Sequence, residues 1–425
     1  MNTVLKLSFE NNCGNLIWMP PYLYPVDDLE NGIEDLRNKG YWVSLFPEKD
    51  GLSFKMEDAT KKEEFIDFEL AFPWMKIKKY EQNEEFDFER DILNSQIIIL
   101  PLTRLKIDKA IYSKEICVFP AGEFQIHKIN FKIPEKFEAD KIEDKEGSND
   151  LRDLITSITQ IDKEVYLDNP LVVFRDSITI DKYKNLSHQE DVELIKKYSE
   201  KAEDVLDLIR FFECNYITPE ILPARAGLWD DRYSTSLIYF PVFKTGFVQS
   251  REVEIKTLIK GIGGEFTNVE LINSLPIFIY SNKELGEVGR ICKYALKLNT
   301  LITESDNHSN KFIQIMTLFE YLGNPYDFVN FKKIKGVLIS YIAKNKKEYH
   351  ELSEKFRFYS ENIRTEIIHN GKRIEDLLTN EEINDLFVFF HQANYIILYD
   401  FMMNYDLDWI DYETKRQNRQ KQIIN

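Results

Sequence analysis

The sequence predicts an α+β protein of several domains, in which a β-rich N-terminal part is followed by an all-α bundle. Three observations predict this class. The 425 residues exceed the usual size of one domain. Short apolar and aromatic runs, separated by Pro, Gly, Asn or charged clusters, recur through the N-terminal part. Towards the C-terminus, apolar residues recur at helical spacing instead. We therefore expect a β-rich domain at 1–185, a mixed helix and strand extension at 186–285, and a helical bundle at 286–425.

The composition indicates a folded intracellular protein. Apolar residues make up 43% of the chain and aromatic residues 13%, which excludes global disorder. The four cysteines lie far apart without a C-x-x-C pair, which favours reduced thiols over a disulfide framework or a zinc site. The N-terminus lacks the long apolar core of a secretory signal, and the most apolar predicted helix is interrupted by polar residues. We expect a cytoplasmic protein that does not enter a membrane.

The net charge of −17 is unevenly distributed along the chain. Residues 286–425 carry 19 Lys and Arg against 20 Asp and Glu, a net charge of −1, so the rest of the chain carries −16. Lysines cluster within the nearly neutral part, at 332–335 and 344–347. Such clusters contact phosphates in nucleic-acid-binding proteins, but charge runs are equally often solvated faces. The charge pattern alone leaves both interpretations open.

The N-terminal part contains six apolar runs that predict strands, at 41–46, 52–56, 65–72, 97–100, 116–119 and 124–133. The alternation changes phase within the last run, where Phe124 shares its phase with Ile126 but not with Ile129. Because strand side chains alternate with a period of two, this change predicts a bulge near His127 and Lys128.

The middle of the chain mixes helix and strand patterns. A helix is predicted at 188–214, where Ser187 and Glu190 form a capping box before an apolar stripe. A strand is predicted at 237–243. The glycines at 261–264 are not followed by a Lys-Ser/Thr pair, so they indicate a loop between ordinary elements and not a phosphate-binding loop.

The C-terminal part shows apolar periodicity that predicts five helices, at about 286–298, 311–322, 331–341, 356–370 and 381–405. The last of these begins after a second capping box, formed by Thr379 and Glu382. Its apolar surface exceeds one packing stripe, so part of it is expected to face a partner chain or the N-terminal domain. The basic tail K-R-Q-N-R-Q-K-Q that follows is expected to fray.

The fourth predicted helix belongs to a stretch that reads F-R-F-Y-S-E-N-I-R-T-E-I-I-H-N-G-K-R-I-E-D. Its Asn370-Gly371 pair readily adopts positive φ and predicts the end of the helix. Arg364 and His369 come just before that end, separated by four residues. In a regular helix such residues point about 140° apart. They can serve one site only if the helix loosens before its end, or if the site lies between two chains.

The segment R-T-E-I-I-H-N-G resembles the Arg-x-x-x-x-His motif of HEPN domains, and most closely the Apea-like branch of bacterial antiphage proteins. The resemblance covers residues 286–425 and includes F-I-Q-I-M-T-L-F-E-Y-L, where the acidic Glu320 lies near the end of the second helix. It implies a HEPN bundle that dimerises and acts as a metal-independent endoribonuclease in abortive infection, with Arg364 and His369 as the catalytic residues. Thr365 stands where many members carry Asn, Asp or His, and it can hydrogen-bond but cannot carry charge.

Arginine and histidine suit RNA cleavage by attack of the 2′-hydroxyl on the adjacent phosphorus. Histidine moves protons near neutral pH, and the planar guanidinium of arginine matches phosphate and stays charged. No metal or other cofactor is expected, because residues 286–425 show no His, Cys or carboxylate cluster with metal-ligand spacing. The residues expected to support the site are Thr365, Glu320 and Asn370, and those expected to bind RNA are Lys372, Arg373, Lys344, Lys346 and Lys347.

Two functions are compatible with this motif. The first is a defence ribonuclease that cuts RNA such as tRNA, forms a homodimer or a higher assembly of dimers through its C-terminal helices, and responds to a phage-derived trigger at its acidic N-terminal domain. The second is a non-catalytic HEPN module for dimerisation and partner binding. Purely structural roles are open too, since a histidine at a helix C-terminus interacts favourably with the helix dipole and Arg364 could pair with Glu361 or Glu320.

Overall fold

The computed structural model describes residues 3–10, 16–18, 22–24, 41–48, 51–58, 96–113, 115–132, 163–178, 182–183, 185–228, 233–240, 245–252, 262–275, 284–327 and 331–425. A β-rich segment occupies residues 96–266, and the C-terminal region is helical. This order confirms the coarse architecture that the apolar patterns predict. The strand predicted at 65–72 lies outside the described residues.

Five strands near the N-terminus form one sheet: β1 Thr3–Glu10, β2 Leu16–Trp18, β3 Tyr22–Tyr24, β4 Tyr41–Glu48 and β5 Gly51–Asp58. β1 pairs antiparallel with β2 and β3 and parallel with β5. β4 and β5 pair antiparallel, as the short connection between them favours. These two strands confirm the predictions at 41–46 and 52–56.

A second sheet of seven strands lies within the segment 96–266. Its strands are β6 Gln96–Pro101, β8 Ile111–Tyr112, β9 Ile116–Phe119, β10 Asn130–Lys132, β11 Leu171–Asp176, β12 Tyr233–Phe240 and β13 Thr245–Glu252. Their order in the sheet is β10-β13-β12-β6-β11-β9-β8. β6 lies between β11 and β12 and pairs antiparallel with both. The strands confirm the predictions at 97–100 and 116–119 and the first half of the one at 237–243.

Two further short strands, β7 Leu105–Ile107 and β14 Gly264–Phe266, pair in parallel as a separate two-stranded sheet. Gly263 precedes β14 with φ +82°, and a Cβ there would lie 1.9 Å from the carbonyl oxygen of Arg104. A glycine at 263 therefore allows two backbone segments to approach closely. The described residues of the glycine run at 261–264 lead into β14.

The central strand β6 is buried on both faces. Ile98 and Leu100 pack into one core cluster, while Ile97 and Ile99 pack into another on the opposite face. All four side chains are fully buried. This two-sided burial explains why the strand reads as a continuous apolar run without the polar alternation of a half-exposed strand.

The strand predicted at 124–133 is wrong over most of its length. Residues Ile126–Lys128 form a 3-10 turn, in which the amide of Ile129 donates to the carbonyl of Ile126 at 3.0 Å, and only Asn130–Lys132 form a strand. The turn directs Phe124, Ile126 and Ile129 into the same core. The change of phase in the sequence therefore marks a turn and not a bulge, and His127 lies exposed on it.

The helices confirm each of the predicted helical segments. Ser187 and Glu190 form the predicted capping box at the first of them, and Thr379 and Glu382 form the second. Among the described residues, no helix is both long and apolar enough to cross a membrane. The bounds are α1 His188–Glu213, α2 Val269–Ser274, α3 Glu287–Glu304, α4 His308–Gly323, α5 Phe331–Ile342, α6 Lys346–Arg357, α7 Arg364–Asn370, α8 Asn380–Met403 and α9 Trp409–Ile424.

Helix α1 joins the sheet to the helical region. It packs against β6, β12 and β13 on one side and against α3 on the other. One buried apolar cluster consequently runs from the sheet into the bundle. Phe211 of α1 stacks on Tyr395 of α8, with ring centroids 5.0 Å apart and planes 5° apart. Part of the wide apolar surface of α8 thus faces α1.

The basic tail does not fray as expected but forms α9. Its Arg416 is almost fully buried and donates to the carbonyl oxygens of Leu322 and Gly323 at 2.9 and 3.2 Å. The guanidinium also lies 5.0 Å from the centre of the Trp409 ring. A buried cation that binds the last carbonyls of α4 compensates the negative end of that helix. The charge of the tail therefore serves tertiary packing, which composition alone does not reveal.

Candidate functional site

The Arg-x-x-x-x-His motif lies at the C-terminal end of a long composite helix. α6 continues through a π-helical turn, Phe358–Ile363, directly into α7. Tyr359 and Ile363 of this turn face the core. Gly371 ends the helix in the left-handed conformation, with φ +67°, which confirms the stop predicted from Asn370-Gly371.

The π-helical turn precedes Arg364 and does not separate it from His369. Between these residues α7 is a regular α-helix. Their side chains therefore point about 140° apart around the helix axis. Of the two arrangements that would let them share a site, a loosened helix between them is not observed. A site made from two chains is the arrangement compatible with this geometry.

Arg364 is held by Glu320 near the end of α4. Its Nη1 donates to Glu320 Oε1 at 2.5 Å and its Nη2 to Oε2 at 3.2 Å, a bidentate pairing. The two side chains are 25% and 16% exposed, so the pair lies at the border of the core. The Nε of Arg364 is buried without a hydrogen-bond partner among the described residues. Of the two acidic partners suggested by the sequence, the structure selects Glu320, and Glu361 is exposed.

Glu320 reaches Arg364 because α4 and α7 lie side by side. Ser309, near the start of α4, accepts a hydrogen bond from the amide of Ile374, which follows α7. Glu320 lies eleven positions after Ser309, so the two lie within about 20° of each other on one face of α4. One face of α4 therefore contacts the motif segment at two places, at Arg364 and at Ile374.

His369 is exposed one residue before the end of α7. Within the described part of the chain, its side chain has no hydrogen-bond or ion-pair partner. Thr365 is also exposed. These two side chains are therefore available to an external ligand or a second chain, while Arg364 is already oriented by Glu320.

The other residues at the end of α7 are organised by Glu366. Its Oε2 lies 2.8 Å from Lys372 Nζ, and its Oε1 accepts a hydrogen bond from Asn370 Nδ2 at 3.0 Å. The hydrogen bonds from Lys372 and then Asn370 lower the pKa of Glu366 below its usual range. Arg373 is exposed beside them. Asn370 and Lys372 thus have a partner in this chain, whereas His369 has none among the described residues.

The two groups of basic residues lie at opposite ends of the composite helix. Lys344, Lys346 and Lys347 flank its start, where Asn345 caps α6, and are exposed. Lys372 and Arg373 follow its end. A helix that runs from residue 346 to 370 is about 35 Å long. One chain therefore does not bring these basic residues into a single patch.

A buried charged cluster lies between α1 and α3, built around Asp207 and Arg210, and was not predicted from the sequence. Charged residues at 203, 207 and 210 recur at helical spacing beside the apolar stripe of α1, and this spacing is the sequence signal that would have revealed the cluster.

Among the described residues, no group of three or more His, Cys, Asp or Glu side chains is arranged to hold a metal ion. No family model, no curated protein and no solved structure matches the chain.

Proposed function

We propose that the chain is an endoribonuclease of a bacterial antiphage system and that it cuts RNA in a cleft between two copies. The observation that carries this proposal is the contrast between two side chains at the end of one helix: Glu320 orients Arg364, while His369 is exposed and has no partner in the described part of the chain. The resemblance of this segment to the HEPN motif supports the same assignment. A phage-derived trigger at the N-terminal domain and abortive infection as the outcome belong to this proposal.

The two residues divide the chemistry between them. The 2′-hydroxyl loses a proton as its oxygen attacks phosphorus, and the departing 5′-oxygen gains one. His369 moves one of these protons, a role worth ~10²–10⁴-fold in rate. Arg364 stabilises the charge on the phosphoryl oxygens, worth roughly 10²–10³-fold. The products are one RNA with a 2′,3′-cyclic phosphate and one with a 5′-hydroxyl, and no step requires a metal ion.

The test of this mechanism is RNA cleavage in EDTA, followed by analysis of the product ends. We expect undiminished cleavage that leaves 2′,3′-cyclic phosphate or 3′-phosphate ends, because a histidine and an arginine supply both roles. Loss of cleavage in EDTA with rescue by magnesium alone would contradict the mechanism.

A second prediction is that the active species is a homodimer joined through the C-terminal helices. Besides the geometry of α7, an exposed apolar stripe on α8 supports this. Its members Val388, Ile396, Tyr399 and Met403 are 36–53% exposed. They lie within an arc of about 80° on the helix surface. Exposed apolar stripes of this kind are typical of protein interfaces. The nearly neutral charge of residues 286–425 also reduces the repulsion between two copies.

Light scattering combined with the cleavage assay tests the dimer. Ile396→Glu places a charge in the stripe and is expected to weaken both dimerisation and cleavage. Ile410→Glu is the matched control, because Ile410 is 75% exposed on α9, outside the stripe. A protein that is monomeric at the assay concentration and still fully active on RNA would rule out the shared cleft.

A non-catalytic interaction module is the second candidate function. The observation that favours it is the pairing of both terminal nitrogens of Arg364 with Glu320, which gives the arginine a structural role. A protein that dimerises but leaves every RNA substrate intact would select this alternative.

A further inference from the structure

A buried charged cluster lies between α1 and α3, far in sequence from the motif helix. Arg210 is fully buried, and its Nη1 lies 2.5 Å from Glu203 Oε2 and 3.5 Å from Asp207 Oδ1. Thr300 of α3 donates its hydroxyl to Asp207 Oδ1 at 2.6 Å. The cluster therefore connects the helix that rests on the sheet with the first helix of the bundle.

The chain that follows α1 on the way to the sheet also enters this cluster. Arg225 donates to Glu304 Oε2 of α3 at 2.7 Å. The amide of Ala226 donates to Glu203 Oε1 at 2.8 Å. Arg210 Nη2 reaches the carbonyl oxygen of Ala224 at 3.4 Å. Three separate parts of the chain are thus held by one set of charged side chains.

The carboxylates of the cluster outnumber its cations. Glu203, Asp207 and Glu304 face two guanidiniums, and each carboxylate side chain is less than 10% exposed. In addition, Glu304 Oε1 is buried without a hydrogen-bond partner among the described residues. An uncompensated buried charge is costly, and one bound proton would neutralise the excess.

We propose that this cluster is a proton-dependent lock between the β-rich segment and the helical region. When Asp207 is protonated, the cluster as a whole fixes α1 and the chain around Arg225 against α3. Loss of the proton leaves a net negative charge in the interface and favours its opening. This device is independent of the proposed RNA cleavage.

The environment of Asp207 supports this assignment. Burial raises the pKa of Asp207 to about 7, with Glu203 acting in the same direction and Arg210 against it. In an opened or unfolded chain the carboxyl has its ordinary pKa near 3.8. A raised pKa means that the closed form binds the proton more tightly. The contribution of Asp207 to the stability of the interface is therefore fully present below about pH 4 and is lost as the pH rises through about 7.

Charged groups on each side of the interface contribute to this titration. Outside the cluster, Lys297 of α3 pairs with Asp204 of α1 at 3.1 Å, which compensates both. His391 on α8 acts in the opposite direction, because burial lowers its pKa and the closed form then loses stability as the pH falls. The groups that face Asp207 are Glu203, Asp204 and Arg210 from α1, and Lys297, Thr300 and Glu304 from α3.

Hydrogen exchange of the full-length protein at several pH values tests the lock. The quantity measured is the opening constant of the amides in α1 and α3, corrected for the intrinsic exchange rate. The ratio of the wild-type opening constant to that of Asp207→Asn is expected to increase about tenfold per pH unit between pH 5 and 6.5. Glu193→Gln is the matched control, since Glu193 is exposed on the same helix and lies outside the cluster, and it should keep the wild-type response.

Thr300→Val gives an independent readout, because it removes the hydroxyl that donates to Asp207 and keeps the shape of the side chain. Without this donor the pKa of Asp207 rises further, so the pH response should extend to higher pH. Equal pH dependence in wild type and Asp207→Asn, or an unchanged response in Thr300→Val, would overturn the proposal. Failure of Asp207→Asn to fold would overturn it too, since asparagine has the shape of the protonated acid.

Discussion

Replacing His369 with alanine is expected to abolish RNA cleavage while leaving the fold intact. The loss should amount to ~10²–10⁴-fold in rate, the usual contribution of a positioned proton-transfer group. Stability should change by less than about 0.5 kcal/mol, because the side chain is exposed and has no partner among the described residues. The measurement is the cleavage rate on RNA, together with thermal unfolding of the same preparations.

His350→Ala is the matched control for this variant, since His350 is exposed on α6 of the same composite helix. It should cleave RNA at the wild-type rate. If His369→Ala does so as well, the catalytic assignment is wrong. Toxicity in cells should follow the same order, because the proposed toxicity arises from cleavage.

Arg364→Ala should also abolish cleavage, but its interpretation needs a second variant. The single substitution leaves the carboxylate of Glu320 unpaired at 16% exposure, which could disturb α4 by itself. The double variant Arg364→Ala/Glu320→Gln removes that charge. A double variant that remains inactive assigns the loss to the guanidinium, and one that recovers cleavage assigns it to the unpaired carboxylate.

Local sequence signals predicted the helix boundaries well. The capping boxes at Ser187 and Thr379, and the stop at Gly371, lie where they were predicted. Such signals succeed because each depends on backbone groups within three or four positions of the residue that satisfies them. The start of the motif helix was not predicted correctly. The helix begins at Lys346, ten residues before Phe356, where the apolar stripe begins.

Features that depend on tertiary partners were not predictable from local patterns. The 3-10 turn at 126–128 and a bulged strand produce the same change of apolar phase, and only the packing of the turn distinguishes them. Similarly, the sequence offered Glu361 and Glu320 as partners of Arg364. The choice depends on α4 lying beside α7, which no local signal encodes.

The largest expected effect on stability comes from replacing Arg416 on α9. Arg416→Ala removes a fully buried guanidinium and leaves the carbonyl oxygens of Leu322 and Gly323 without their donor. The substitution leaves two carbonyl oxygens without a donor and removes a buried charge from its polar contacts. Together these losses should lower the free energy of unfolding by about 3–5 kcal/mol. The measurement is the guanidinium chloride midpoint of the helical region, followed by circular dichroism.

Arg419→Ala is the matched control on the same helix. Arg419 donates to the carbonyl oxygens of Ser340 and Tyr341 at the end of α5, at 3.0 and 3.4 Å, but it is exposed. Water can replace these bonds, so the expected loss is only about 1 kcal/mol. Equal midpoints for the two variants would show that burial of Arg416 contributes nothing beyond its hydrogen bonds.

Arg416→Ala should also weaken RNA cleavage, although this residue lies on a different helix from the motif. Leu322 and Gly323 form the last turn of α4, and Glu320 stands in that same turn, where it orients Arg364. Fraying of the turn would therefore release the arginine from its bidentate partner. Cleavage measured well below the unfolding midpoint should fall in Arg416→Ala and persist in Arg419→Ala. Full activity of folded Arg416→Ala would mean that the orientation of Arg364 by Glu320 does not limit the reaction.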